Sequence, residues 1–127
     1  AAILRIKLKK LNVEINKRRK IAKIYDLELN DTFKKTNGSD QQKSSYHLYV
    51  VRTKERKKLM AYMEKKGIIL GIHYHPPNHQ NGLLSKYSKG KLPVTEEASK
   101  EVISLPIYPG LDKKLQLQII KYLNQFK

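Results

Sequence analysis

With 127 residues, 39% of them hydrophobic, the chain is long enough for one domain with a modest core and too apolar for a disordered tail. Its 27 Lys and Arg against 11 Asp and Glu give a net charge of +16, but the basic residues run through nearly every segment, with Lys17-Arg18-Arg19-Lys20 as a local concentration, so most of the charge is expected to solvate element surfaces. The absence of cysteine excludes disulfides, thiolate chemistry and cysteine zinc sites, and no apolar run reaches the length of a membrane span.

The first predicted element is one long helix. Leu4, Leu8, Leu11, Ile15, Ala22, Tyr25 and Leu29 form an apolar stripe at helical spacing, and Ile3, Ile6, Val13, Ile21 and Ile24 form a second. A helix apolar on two flanks is expected to bury one against its own domain and offer the other to a second domain or subunit, unless it is simply a central core helix. The pattern is already running at Ala1-Ala2-Ile3, with no Met, cap or turn before it, as expected of a cut edge. Nor does a charged region followed by an apolar signal core open the chain, and a soluble, cytoplasmic protein is expected.

Residues 30–44 are polar, with Asn37-Gly38-Ser39-Asp40 as a turn signal, and read as an exposed connection. Tyr46 to Thr53 is β-branched and aromatic, which predicts a half-buried strand. The spacing of Leu59, Met60 and Met63 predicts a helix over 54–66, stopped by Gly67. A buried strand over 68–74 should then deliver the loop His73-Tyr74-His75-Pro76-Pro77-Asn78-His79. Residues 81–92 read as a second long connection. Thr95 is predicted to cap a helix reaching about Ser104, with Glu96 and Glu97 at its positive end. The segment 105–110, LPIYPG, must be extended, because each proline denies helical geometry to the residue before it. Asp112 caps a last helix carrying Leu115, Ile119, Ile120, Leu123 and Phe126 at core spacing. The sum is a single α+β domain, a small antiparallel or mixed sheet with helices packed mainly on one face and a long N-terminal helix.

The chemistry concentrates in the His/Pro loop. His73, His75 and His79 could in principle hold zinc, but no Asp or Glu lies between Lys65 and Thr95 and the Pro76-Pro77 turn need not aim all three rings inward, so no metal site is predicted. Imidazole and phenol groups, with Lys86 or Lys89 nearby, suit recognition of sugar hydroxyls and phosphates; the alternative is that the loop only shapes a solvent-facing turn. Tyr46 and His47 could reach a cleft, although packing at a sheet edge is the simpler role. There is no Gly-rich phosphate loop, no nucleophile elbow, and no lysine in a dry, acidic and Gly-rich setting.

SYHLYVVRTKERKKLMAYMEKKGI, GIHYHPPNHQ and LPVTEEASKEVISLPIYPGL, in that order, resemble the C-terminal part of DegT-type PLP-dependent sugar-nucleotide aminotransferases, and the opening 29 residues resemble the long helix that follows that family's large domain. The resemblance implies the small domain of a fold-type I enzyme that moves an amino group, usually from glutamate, to a keto group on a nucleotide-linked sugar. It also implies that the PLP lysine lies in a large N-terminal domain outside this chain, so that these residues have no catalytic residue or cofactor of their own and are inactive alone. His73, Tyr74, Pro77 and His79 match the family's substrate-binding positions; His75 departs from a usual proline, which can alter loop shape and sugar preference. The first helix would pack on the large domain near a homodimer interface. The rival is a basic nucleic-acid-binding or regulatory module, which would need binding stronger than salt-sensitive charge attraction. No membrane partner is expected.

Overall fold

The computed structural model describes residues 1–35, 44–88 and 90–126. The Asn37-Gly38-Ser39-Asp40 turn and Lys89 therefore lie outside the described residues. Among the described residues, five α-helices, α1 (Ala2–Leu8), α2 (Leu11–Glu28), α3 (Arg56–Glu64), α4 (Pro93–Glu101) and α5 (Lys113–Gln125), accompany three short strands, β1 (Lys34–Lys35), β2 (Tyr49–Arg52) and β3 (Val102–Leu105). The sheet has the order β1-β2-β3 and both pairings are antiparallel, with Tyr49 opposite Leu105 and Val51 opposite Ile103. The expected α+β class holds, and its sheet is antiparallel rather than mixed. No helix among the described residues is long and apolar enough to cross a membrane.

The expected single N-terminal helix is broken at Lys9 and Lys10, where the Lys10 amide bonds to Lys7 O in a tighter turn. Like charge at Lys7, Lys9 and Lys10 disfavours continuity, and residues 1–13 are all exposed, so no packing enforces it. The two apolar stripes divide by position along the chain rather than by flank. Ala22, Tyr25 and Leu29 of the first stripe and Ile21 of the second are buried, whereas Leu4, Leu8, Leu11, Ile3, Ile6 and Val13 are exposed.

Three further expectations are corrected. Residues 30–44 are not simply an exposed connection: Phe33 is 2% exposed and Lys34 and Lys35 pair with Arg52 and Val51, because the aromatic ring anchors the chain beside the sheet. The helix read through Ser104 ends at Glu101, and Val102 to Leu105 form β3; β-branched Val102 and Ile103 suit a strand, and a full ladder with β2 outweighs another helical turn. The strand expected over 68–74 shrinks to a single bridge between Gly71 and Ser104. Ile68 and Leu70 are buried while Ile69 is 85% exposed, so this segment is a half-buried sheet margin and not a buried strand.

The core runs through Tyr25, Tyr49, Val51, Leu59, Met63, Ile103, Ile119 and Leu123. The rings of Tyr25 and Tyr49 lie 4.9 Å apart, and both hydroxyls find acceptors, Tyr25 Oη donating to Pro106 O at 2.9 Å and Tyr49 Oη to Asp26 Oδ1 at 2.7 Å. Burial first, and Tyr108 second, push the Tyr25 hydroxyl pKa upward, so it stays a donor. Gln116, also buried, donates from Nε2 to Ile21 O at 2.8 Å and ties α5 to α2. At the other end of α2, Asn124 donates to Glu28 O and accepts from the Asn30 amide, satisfying backbone groups that the helix end leaves open.

One expected helix stop and one expected helix start are found, and a second expected start is not. Gly67 has φ +75° and the Ile68 amide bonds back to Met63 O, which closes α3 in a left-handed turn. Asp112 Oδ2 accepts from the Lys114 and Leu115 amides and caps α5. Thr95, however, is not the cap of α4. That helix starts at Pro93, whose fixed φ and missing N–H suit a first helical position, and Glu96 reaches back to the Leu92 amide instead.

Candidate functional site

Gly71 and Ser104 exchange backbone hydrogen bonds of 3.2 and 2.8 Å, which fixes where the chain leaves the sheet margin for the His/Pro loop. Two residues later His73 Nδ1 lies 3.0 Å from Ser104 Oγ, and the Tyr74 ring meets the His73 ring edge-on at 5.4 Å. Tyr74 is 73% exposed. The peptides His73–Tyr74 and His75–Pro76 are both cis.

A cleft of about 210 Å³ opens beside this hinge, with His47, His73 and Ser104 as its polar lining and Ile69, Pro106 and Ile107 among its apolar walls. That volume is below the roughly 300–1,000 Å³ of sites that enclose a drug-sized molecule, so the cleft can form only part of a site for a larger ligand. Of the four predicted site residues only His73 lines it. Pro77 is buried beneath the loop, and His79 is turned away to Glu96, Nε2 standing 3.1 Å from Oε1 with the two side chains 12% and 22% exposed. His75 is exposed and departs from the group. Lys86 is not on the cleft either; its ammonium sits 5.0 Å from the centroid of the Tyr87 ring.

Sequence reasoning missed two contributors and ranked a third second. His47, for which sheet-edge packing was the simpler role and reaching a cleft the alternative, is exposed and lines the cleft, because β2 begins only at Tyr49 and leaves His47 before the ladder. Ser104 was read as the end of a helix; as a β3 residue it anchors both Gly71 and His73. Glu96 was read as a charge near the positive end of a helix, and it is that as well as a hydrogen-bonding hub. A single polar residue inside the apolar run Val102-Ile103-Ser104-Leu105 was the signal available for Ser104. Among the described residues no group of three or more His, Cys, Asp or Glu is arranged to hold a metal ion.

The Leu92 amide first, and the His79 ring second, hold the Glu96 carboxyl below its ordinary value of 4.5. A carboxyl lowered on folding stabilises the fold fully above its unfolded value, and that contribution is lost as pH falls through the lowered folded value. As pH falls below the ordinary carboxylate value, the thermal midpoint of the native chain is therefore expected to fall more steeply than that of Glu96→Gln, which cannot titrate there. Parallel pH profiles would show that this carboxyl carries no linkage.

The profile of the DegT/DnrJ/EryC1/StrS aminotransferase family matches residues 1–124, and the chain, with its antiparallel α+β core and His/Pro loop, belongs to that family. It is similar to the dTDP-3-amino-3,6-dideoxy-alpha-D-galactopyranose transaminase of Aneurinibacillus thermoaerophilus, with 32% identity over 127 residues that make up 99% of this chain and 35% of that protein. Among solved structures, a DegT DnrJ EryC1 StrS aminotransferase from Brucella abortus superposes with a TM-score of 0.88 at 31% identity, over 96% of this chain and 33% of that one. S. venezuelae DesV, solved in complex with a ketimine intermediate, gives 0.89 at 28% identity, over 98% and 34%. The chain thus spans about a third of the length of the relatives it matches.

The enzymes of this family use PLP, which needs a shielded lysine for its aldehyde. Every lysine among the described residues is exposed or half-buried, and the half-buried one, Lys35, donates to Asp26 O at 2.7 Å. The described residues do not compose a site for that coenzyme.

Proposed function

We propose that this chain is the small C-terminal domain of a cytoplasmic PLP-dependent aminotransferase that passes an amino group from glutamate to a keto group on a nucleotide-linked sugar. The lysine and the groups gripping the coenzyme belong to a large N-terminal domain, and the chain alone is inactive. The observation that carries this reading is the hinge at Gly71 and Ser104, which holds the His73 ring on a cleft too small to enclose a nucleotide sugar by itself. A second domain then completes the site. The exposed apolar residues of α1 and early α2, Leu4, Leu8 and Leu11 among them, supply a surface for packing on that domain and for a homodimer.

Within the site, His73 and Tyr74 bind sugar or phosphate oxygens, while Pro77 and His79 hold the shape of the loop around them. The departure at His75 adds an exposed imidazole next to Tyr74, and sugar preference depends on it. Charge attraction alone accounts for any binding of nucleic acid.

The test is transamination of a dTDP- or UDP-linked keto-sugar by the polypeptide that carries this chain, with glutamate as donor. His73→Ala is expected to lower kcat/KM by roughly 10- to 100-fold, the loss of one hydrogen bond to a charged or strongly polar group. An unchanged kcat/KM would remove His73 from the site. A one-to-one, borohydride-trappable PLP adduct at a single lysine of the 127-residue chain would overturn the assignment of the coenzyme site to another domain.

A further inference from the structure

One carboxylate oxygen joins two distant points of the chain. Glu96 Oε1 accepts from His79 Nε2 at 3.1 Å and from the Leu92 amide at 3.0 Å. Those two donors stand on either side of the 80–91 segment, so both of its ends meet at a single atom near the start of α4. Within the segment the described hydrogen bonds are local: the Leu84 and Ser85 amides bond to Asn81 O, and the Tyr87 amide bonds to Leu84 O. Leu83 and Tyr87 are exposed, so apolar burial adds little to hold the segment in place.

The chemistry of the clasp also fixes the imidazole. An ionised carboxylate can only accept, so Nε2 must carry the proton, which leaves Nδ1 as the acceptor of the neutral ring. The same two donors that lower the Glu96 carboxyl keep it ionised at neutral pH, so both bonds are charge-assisted.

We propose that Glu96 is a positioning residue, whose carboxylate sets the tautomer and orientation of His79 and clasps His79 and Leu92 together at the start of α4. The role of this closure rests on the aminotransferase reading above: a loop ordered before substrate arrives loses less conformational freedom when the sugar nucleotide binds.

The experiment reads amide hydrogen exchange and the ring nitrogen signals of His79 in the 127-residue chain. Glu96→Ala is expected to speed exchange of the Leu92 amide and of the 80–88 amides by roughly tenfold or more while α5 exchanges as before, and to release His79 from the Nε2–H form. Glu96→Gln retains an oxygen that accepts from both donors, and it is expected to keep the loop closed. Unaltered exchange and unaltered ring signals in Glu96→Ala would overturn the proposal. Should Glu96→Ala open α5 as well, His79→Ala decides: it removes one donor and keeps the other, so exchange must rise near Gln80 and Asn81 and stay slow at Leu92, and a uniform rise or none overturns the clasp.

In the polypeptide that carries the coenzyme domain, Glu96→Ala is expected to raise KM for a dTDP-linked keto-sugar several-fold with kcat moving less. A loosened loop with an unchanged KM upholds the clasp and counts instead against the substrate role proposed for the loop.

Discussion

Leu59→Ala is expected to lower the free energy of unfolding by about 2–5 kcal/mol, the range for deleting a fully buried leucine side chain and leaving a cavity behind. Leu59 is 0% exposed and belongs to the same apolar cluster as Met63, Tyr49 and Ile103, so its truncation leaves a void inside the core. Against a total stability of roughly 5–15 kcal/mol for a domain of this kind, that loss moves a large share of molecules towards the unfolded state. Denaturant unfolding followed by far-UV circular dichroism measures it directly. Leu115→Ala is the matched control. Leu115 has core spacing in the sequence, but it is 40% exposed in the fold, and its truncation is expected to cost less than about 1 kcal/mol. Equal losses for the two variants would mean that the core does not lie where the structure has it.

Gly71→Ala is expected to leave the fold standing and to dismantle the site. A Cβ at position 71 would lie 2.6 Å from His73 Cε1 and 3.2 Å from Nδ1, closer than atoms tolerate, while the backbone bonds between Gly71 and Ser104 use groups that alanine retains. The softest neighbour is the imidazole, which turns away and gives up Ser104 Oγ. The stability loss is expected to be about 1–3 kcal/mol, the usual cost of overpacking. On the proposed function, the fall in kcat/KM of the polypeptide that carries this chain should match that of His73→Ala, because both variants vacate the same position. Gly82→Ala supplies the comparison: nothing lies within 4 Å of the added methyl, so stability should hold or rise by a few tenths of a kcal/mol. A His73 ring signal unchanged by Gly71→Ala would show that the ring is not packed against the glycine.

Local chemistry made some features of this protein readable from the residues alone. Gly67 and Asp112 end and begin helices through their own backbone freedom and side-chain oxygen, and neither depends on a distant partner. The 3.6-residue spacing of Ile119, Ile120 and Leu123 likewise carried the inner face of α5. The ordered segments around GIHYHPPNHQ and ISLPIYP carried the family resemblance, which the profile match over residues 1–124 bears out. Long-range pairing lay beyond any local signal. Lys34 and Lys35 become a strand only because Val51 and Arg52 of β2 pair with them, and Val102 to Leu105 leave the helix only because the same strand lies on its other side. The site was decided in the same way. His73 gains its place from Ser104, 31 positions away, and His79 is withdrawn towards Glu96, so two imidazoles that look alike in the sequence stand in different surroundings. Composition and spacing govern what a residue can do, whereas which partner reaches it first is set by how the chain folds back on itself.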